Sequence, residues 1–162
     1  MRPRAVLALG TVALLCQGCP SAYQRTYDAE TKKLEAQHRA SQEQAQAEHA
    51  EASRYAAVVY FDVGSATIRP DGQRELRWFV DKMQPYPQAV VLIQGFADTT
   101  GTEAGNQALS QQRAEAVAVY LSSQGIDRAR LVVQGFGTES PAVSNLTAQN
   151  RSRNRRVEVT VR

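Results

Sequence analysis

Asp98 and Arg113 are the residues of this sequence whose types and spacing could do chemistry on a small charged ligand. They lie in the stretch GFADTTGTEAGNQALSQQRAEAVAVYL, residues 95–121. On an ideal helix, at 100° per residue, Asn106, Ser110 and Arg113 fall on the same stripe as Val117, Tyr120 and Leu121, the side that faces a core. Asp98 leaves the carboxyl end of a strand, where alternating folds present ligand-binding loops. Thr99, Thr100 and Gly101 then turn the chain. A carboxylate and a guanidinium converging on one mouth can read a zwitterion. The carboxylate takes an ammonium, and the arginine fork grips a carboxylate in two parallel hydrogen bonds. The same two side chains can instead neutralise one another as an internal ion pair, with Asn106 capping the helix. The residues alone leave both readings open.

The elements that must position this pair follow from local patterning. AAVVYF, residues 56–61, is rich in β-branched and aromatic residues and reads as a buried strand, followed by a loop over 62–69. Pro70 and Asp71 open a helix whose Leu76, Phe79, Val80 and Met83 recur at helical spacing, and which ends before residues 85–87. Residues 89–95 form a second strand, and a second helix runs from about Thr102 or Gly105 to Ser123, closed by Gly125. Leu131 to Gln134 is a third strand. A long polar loop then spans 135–150, and RRVEVTVR at 155–162 alternates as a last strand with Val157, Val159 and Val161 on one face. The order βαβα followed by two strands predicts an α+β sandwich, one mixed sheet with helices packed on it.

The rest of the chain reads as an export signal and a spacer. A basic head with Arg2 and Arg4, an apolar run from Ala5 to Leu15 and small residues before Cys19 fit an export signal. The run is too short to stay as a spanning helix, which needs about 20 residues. Both cysteines of the sequence, Cys16 and Cys19, lie in this segment, so the folded part holds no disulfide and no cysteine nucleophile. Residues 20–55 are rich in Ala, Gln and Glu without a continuous apolar stripe. They read as a solvated helix reaching on the order of 50 Å, or as a weak coiled coil through Tyr23, Tyr27 and Leu34. His38 and His49, the two histidines, have no metal-site spacing. The expected organisation is a signal over 1–18, a linker over 19–55 and a folded domain over 56–162. Charge adds little: 19 Lys and Arg against 16 Asp and Glu give +3, and the N-terminal pair accounts for most of it.

Two resemblances sharpen this reading. The end of the signal, with Leu15, Gly18 and Cys19, resembles the cleavage and lipidation box of bacterial lipoproteins, with Cys19 as lipid acceptor. Pro20 after it, in place of an aspartate, favours the outer membrane. F61-D62 with GSATIRP at 64–70, then G95-F-A-D98, Gly101, Asn106, L109-S110, R113-A114 and N154-R-R-V-E158, resemble the OmpA-like peptidoglycan-binding domain, including the version carried by Pal-type lipoproteins. The resemblance implies that Asp98 and Arg113 hold the ammonium and carboxylate of the diamino acid, of diaminopimelate type, in a cell-wall stem peptide. It further implies that Thr99 and Thr100 donate from the loop, that Asn106 and Leu109 wall the pocket, and that Asn154 and Arg155 form a basic motif beside it. Phe96 stands where the family often has histidine.

The expected function is therefore a non-catalytic lipoprotein, anchored by lipid in the outer membrane with its domain facing the periplasm, that tethers membrane to wall. Neither cofactor nor metal is implied. An alternative keeps the fold and makes it an interaction module of a Tol-type envelope complex, with wall binding secondary. Catalysis is disfavoured, because the domain lacks the cysteine and histidine of nucleophilic sites. Nucleic-acid binding through RSRNRR, residues 151–156, is disfavoured too, because no aromatics interleave with the arginines.

Overall fold

Apolar residues at every second position draw four short strands into one sheet, and the computed structural model describes them within residues 21–162. The expected signal and Cys19 lie outside the described residues. The strands are β1 (Ala57–Tyr60), β2 (Val91–Gly95), β3 (Leu131–Gly135) and β4 (Arg156–Val161), in the order β1-β4-β2-β3. The last strand in sequence lies between β1 and β2, antiparallel to both, while β2 and β3 run parallel. The parallel pair needs a crossover, which the helix over Glu103–Ser123 supplies. One mixed sheet with helices on it is the expected α+β architecture.

The helices are α1 (Ala22–Ala52), α2 (Pro70–Met83), α3 (Glu103–Ser123) and α4 (Ala148–Asn154). None of the described helices is long and apolar enough to cross a membrane. From residue 23 to 41, α1 exposes its side chains, with Tyr23, Tyr27 and Leu34 all turned to solvent. Residues 42–162 form a separate compact unit, in which Ala52 is fully buried and Tyr86 Oη donates to Glu51 Oε2 at 3.2 Å.

Register stacks the inward side chains into rows. Val59 lies opposite Val157, which lies opposite Gly95, and Ala57 opposite Val159, which lies opposite Ile93. Against these rows pack Leu76, Phe79 and Met83 of α2 and Ala114, Val117 and Leu121 of α3.

The structure departs from the sequence reading in two places. The first strand is buried on one face only: Ala57 and Val59 are enclosed, but Val58 is 38% and Tyr60 43% exposed. A run of consecutive apolar residues does not distinguish one covered face from two, and here helices cover only one. A short helix, α4, also begins near the end of the long polar loop and runs on past it, capped by Thr147, whose hydroxyl accepts from Asn150 N–H at 3.1 Å. Its sequence, AQNRSRN, has no apolar stripe to announce it.

Candidate functional site

Helix α3 reaches the strand exits because two glycines let it. Gly95 and Gly135 are register partners at the ends of β2 and β3. A Cβ on Gly95 would collide with the Ser110 carbonyl oxygen, and one on Gly135 would meet Gln111 N at 2.5 Å. Without side chains there, the helix backbone lies directly on the sheet.

Polar residues on and beside the inward stripe of α3 meet the strand ends through this closeness, Ser110 buried on the stripe and Gln107 and Gln111 exposed at its flank. Gln107 Nε2 donates to Gly135 O at 2.9 Å, Gln111 Oε1 accepts from Gly135 N–H at 2.7 Å, and Ser110 Oγ accepts from Gly137 N–H at 2.8 Å. Strand ends carry backbone groups that the ladder leaves unpaired, and the stripe and its flank supply partners for them.

Arg113 extends the same logic. It has no solvent-exposed surface. Its Nε donates to Ser65 O at 2.8 Å, Nη1 to Phe96 O at 3.2 Å and Nη2 to Asp62 O at 2.9 Å. The guanidinium carbon lies 5.4 Å from the Phe61 ring centroid. Three carbonyls from the exits of β1 and β2 thus converge on one cation. Of its five N–H groups, one on each terminal nitrogen is left over. Burial, with the like charge of Arg155, brings its pKa down from 12.5 to about 10, opposed by Asp98. It remains charged at neutral pH.

Asp98 is also enclosed, and its partner is Arg155. Arg155 Nη1 donates to Oδ2 at 2.8 Å, while Thr100 N–H donates to Oδ1 at 2.9 Å. Arg155 is itself fixed by a bond from Nε to Phe61 O at 3.0 Å. Burial alone would raise the Asp98 pKa. The hydrogen bond from Arg155, those from Thr100 and the charge of Arg155 outweigh it and hold the carboxyl below its ordinary 3.8.

The internal ion pair left open by the sequence, Asp98 with Arg113, is therefore absent. Each charge is held separately. Nor do the two line an open mouth together, because Arg113 lies beneath carbonyls that a buried fork of donors must satisfy. Asn106 does not cap α3 either. Thr102 does, its hydroxyl accepting from Gly105 N–H at 3.1 Å. Asn106 is buried in the first turn, Leu109 half-buried one turn on, and Thr99 and Thr100 are exposed at the rim with Gly101, whose φ of +97° turns the chain into the helix.

Asn154 stands apart from this group. It is fully buried, its Oδ1 accepts from Val143 N–H at 3.1 Å, and its Nδ2 donates to Val143 O and Asn145 Oδ1. Both ends of the amide clamp the loop before α4. Sequence reasoning missed Arg156, which lies 4.0 Å over the Phe96 ring while Phe96 stacks on Phe136 at 5.4 Å. Phe96 thus fills a buried stack and offers no polar edge.

The comparisons agree with this architecture. The model of the OmpA family matches residues 60–155. The probable lipoprotein YiaD of Escherichia coli is 43% identical over 103 residues, covering 64% of this chain and 47% of the relative. The peptidoglycan-binding protein ArfA of Mycobacterium tuberculosis is 38% identical over 103 residues, covering 64% of this chain and 32% of the relative. The chain thus spans half or less of these curated relatives. The crystal structure of the peptidoglycan-associated lipoprotein from Burkholderia pseudomallei superposes with a TM-score of 0.63 at 33% identity, covering 65% of this chain and 90% of that one. The chain belongs to the OmpA family.

Proposed function

We propose that this protein is a non-catalytic tether whose domain grips the diamino acid of uncrosslinked peptidoglycan stem peptides. Asp98 takes the ammonium, and the two remaining N–H groups of Arg113 take the carboxylate once the carbonyl-lined loop over it gives way. Thr99, Thr100, Asn106 and Leu109 surround the ligand, and Arg155 holds Asp98 charged and in place. Lipid on Cys19 anchors the other end in the outer membrane, with α1 as spacer and the domain in the periplasm.

The observation that carries this reading is that two enclosed opposite charges do not neutralise each other. Asp98 is paired to Arg155, and Arg113 faces carbonyls. Both therefore keep capacity for a zwitterion, whose two ends a protein can satisfy only with fixed opposite charges. Likeness to a protein named as peptidoglycan-binding and to one named as peptidoglycan-associated supports the choice of ligand.

The test is co-sedimentation with purified sacculi. Wild type is expected to pellet and to be released by free diaminopimelate, whereas Asp98→Asn stays in the supernatant. Pelleting of Asp98→Asn at the wild-type level would refute the site. Metabolic labelling with fatty acid should mark the wild type and not Cys19→Ser. A Tol-type envelope partner is a second reading, favoured by the uncovered sheet face with Val58, Tyr60 and Val132 exposed. Pull-down from solubilised envelopes that is unchanged in Asp98→Asn would favour it.

A further inference from the structure

We propose that the domain holds a second anion subsite, in the cleft of about 250 Å³ lined by Tyr60, Arg69, Asp71, Ser152, Arg153 and Arg155. Its occupant is the free α-carboxylate of the glutamate that precedes the diamino acid in the stem peptide. The inference rests on the wall-binding reading above and adds a second recognised group to it.

Arg155 is the wall shared by the two places. Its Nε and Nη1 are engaged by Phe61 O and Asp98, but Nη2 makes no hydrogen bond among the described residues, so two N–H groups are kept for a ligand. Arg153 lines the same cleft, is exposed, and makes neither a hydrogen bond nor an ion pair among the described residues. The Tyr60 hydroxyl likewise has no partner among the described residues. Arg69 differs, because Asp71 at 3.0 Å and Asp62 at 3.8 Å neutralise it. It shapes the cleft, and the gripping charges are Arg153 and Arg155.

Charge accounting points the same way. Asp98, Arg113 and Arg155 sum to one net positive charge, and a zwitterion bound to them leaves that excess in place. Arg153, in the same cleft, adds a second positive charge, and Arg69 with its two carboxylates Asp62 and Asp71 takes one away, leaving a single positive charge in excess. An additional carboxylate on the ligand removes the imbalance, and a planar guanidinium suits it geometrically.

The stem peptide carries such a group at a suitable distance. Its glutamate is joined to the diamino acid through the side-chain carboxyl, so the α-carboxylate is free unless amidated. It lies within about 7 Å of the diamino acid, two residue lengths of extended chain. That reach matches two sites separated by one guanidinium. A phosphate from a lipid headgroup would satisfy the cations equally, but it has no covalent link to the group at Asp98.

The experiment is titration calorimetry of the full chain with two synthetic tripeptides, alanyl-γ-glutamyl-diaminopimelate with the glutamate α-carboxyl free or amidated. Wild type is expected to bind the free form about tenfold more tightly. Arg153→Gln, a change at an exposed side chain without partners, should reduce that preference to about threefold or less, with affinity for the amidated form unchanged. Equal affinity of wild type for both peptides, or equal weakening of both by Arg153→Gln, overturns the subsite and leaves the diamino-acid site standing. Failure of wild type to bind either peptide overturns both.

Discussion

Nη1 of Arg155 lies 2.8 Å from Oδ2 of Asp98, an ion pair at the strand exits. Arg155 follows α4 and Asp98 follows β2, so the pair ties the end of the chain to the loop that opens α3. It also frees Arg113 from Asp98. The cation deeper in the fold is held by backbone carbonyls, and the carboxylate nearer the rim is held by an arginine that also reaches the neighbouring cleft.

Arg113 should be a structural staple as well as a ligand group. Arg113→Ala leaves the carbonyls of Asp62, Ser65 and Phe96 without their donor. Only the bond to Phe96 O is buried, the other two being half-buried, and a buried group left unsatisfied costs about 1–3 kcal/mol, so a loss of about that size is expected in urea unfolding. Hydrogen exchange should quicken most in residues 62–65 and 96–98. A variant as stable as wild type would show that the three bonds contribute nothing net. This expectation is also why Asp98→Asn, rather than Arg113→Ala, is the discriminating variant for wall binding.

Acid should release the contribution of Asp98. Its folded pKa lies below the ordinary 3.8, because Arg155 and Thr100 favour the charged form. A depressed carboxylate stabilises the fold fully above the unfolded pKa and ceases to as pH falls through the folded one. The stability gap between wild type and Asp98→Asn should therefore be constant above about pH 5 and close on further acidification. A gap that does not narrow as the pH falls below the ordinary carboxylate range would mean the substitution acts through shape and not charge.

Gly95 should tolerate no side chain. Gly95→Ala sets a methyl against the Ser110 carbonyl and 3.2 Å from Ala114 Cβ. Backbone on the helix side cannot rotate away, so a loss of about 2–3 kcal/mol is expected by thermal unfolding. Val119→Ala, at a residue of the same helix that is 61% exposed, should stay within about 0.5 kcal/mol of wild type. An unchanged melting temperature for Gly95→Ala would show that α3 can lift from the strand exits.

Much of this protein was legible before any coordinates. Alternation placed Val157 and Val159 on one face of the last strand, and helical spacing placed Leu76, Phe79 and Met83 in the core, because a period of 2 or 3.6 is written directly in the order of side chains. The same periodicity put Arg113 on an inward stripe, and it is buried there. Three matters depended on contacts between residues far apart in the chain. The partner of Asp98 stands 57 positions away, and the carbonyls around Arg113 stand 17 to 51 positions away. The covered face of β1 depended on where two helices packed, and the role of Asn154 on a loop folding back upon it. The sequence by itself determined which elements form and which side each residue takes, since those follow from local sterics and apolar spacing. Only the tertiary structure decided which charge meets which, because a guanidinium with five donors is satisfied by whatever acceptors the converging strand ends bring to it.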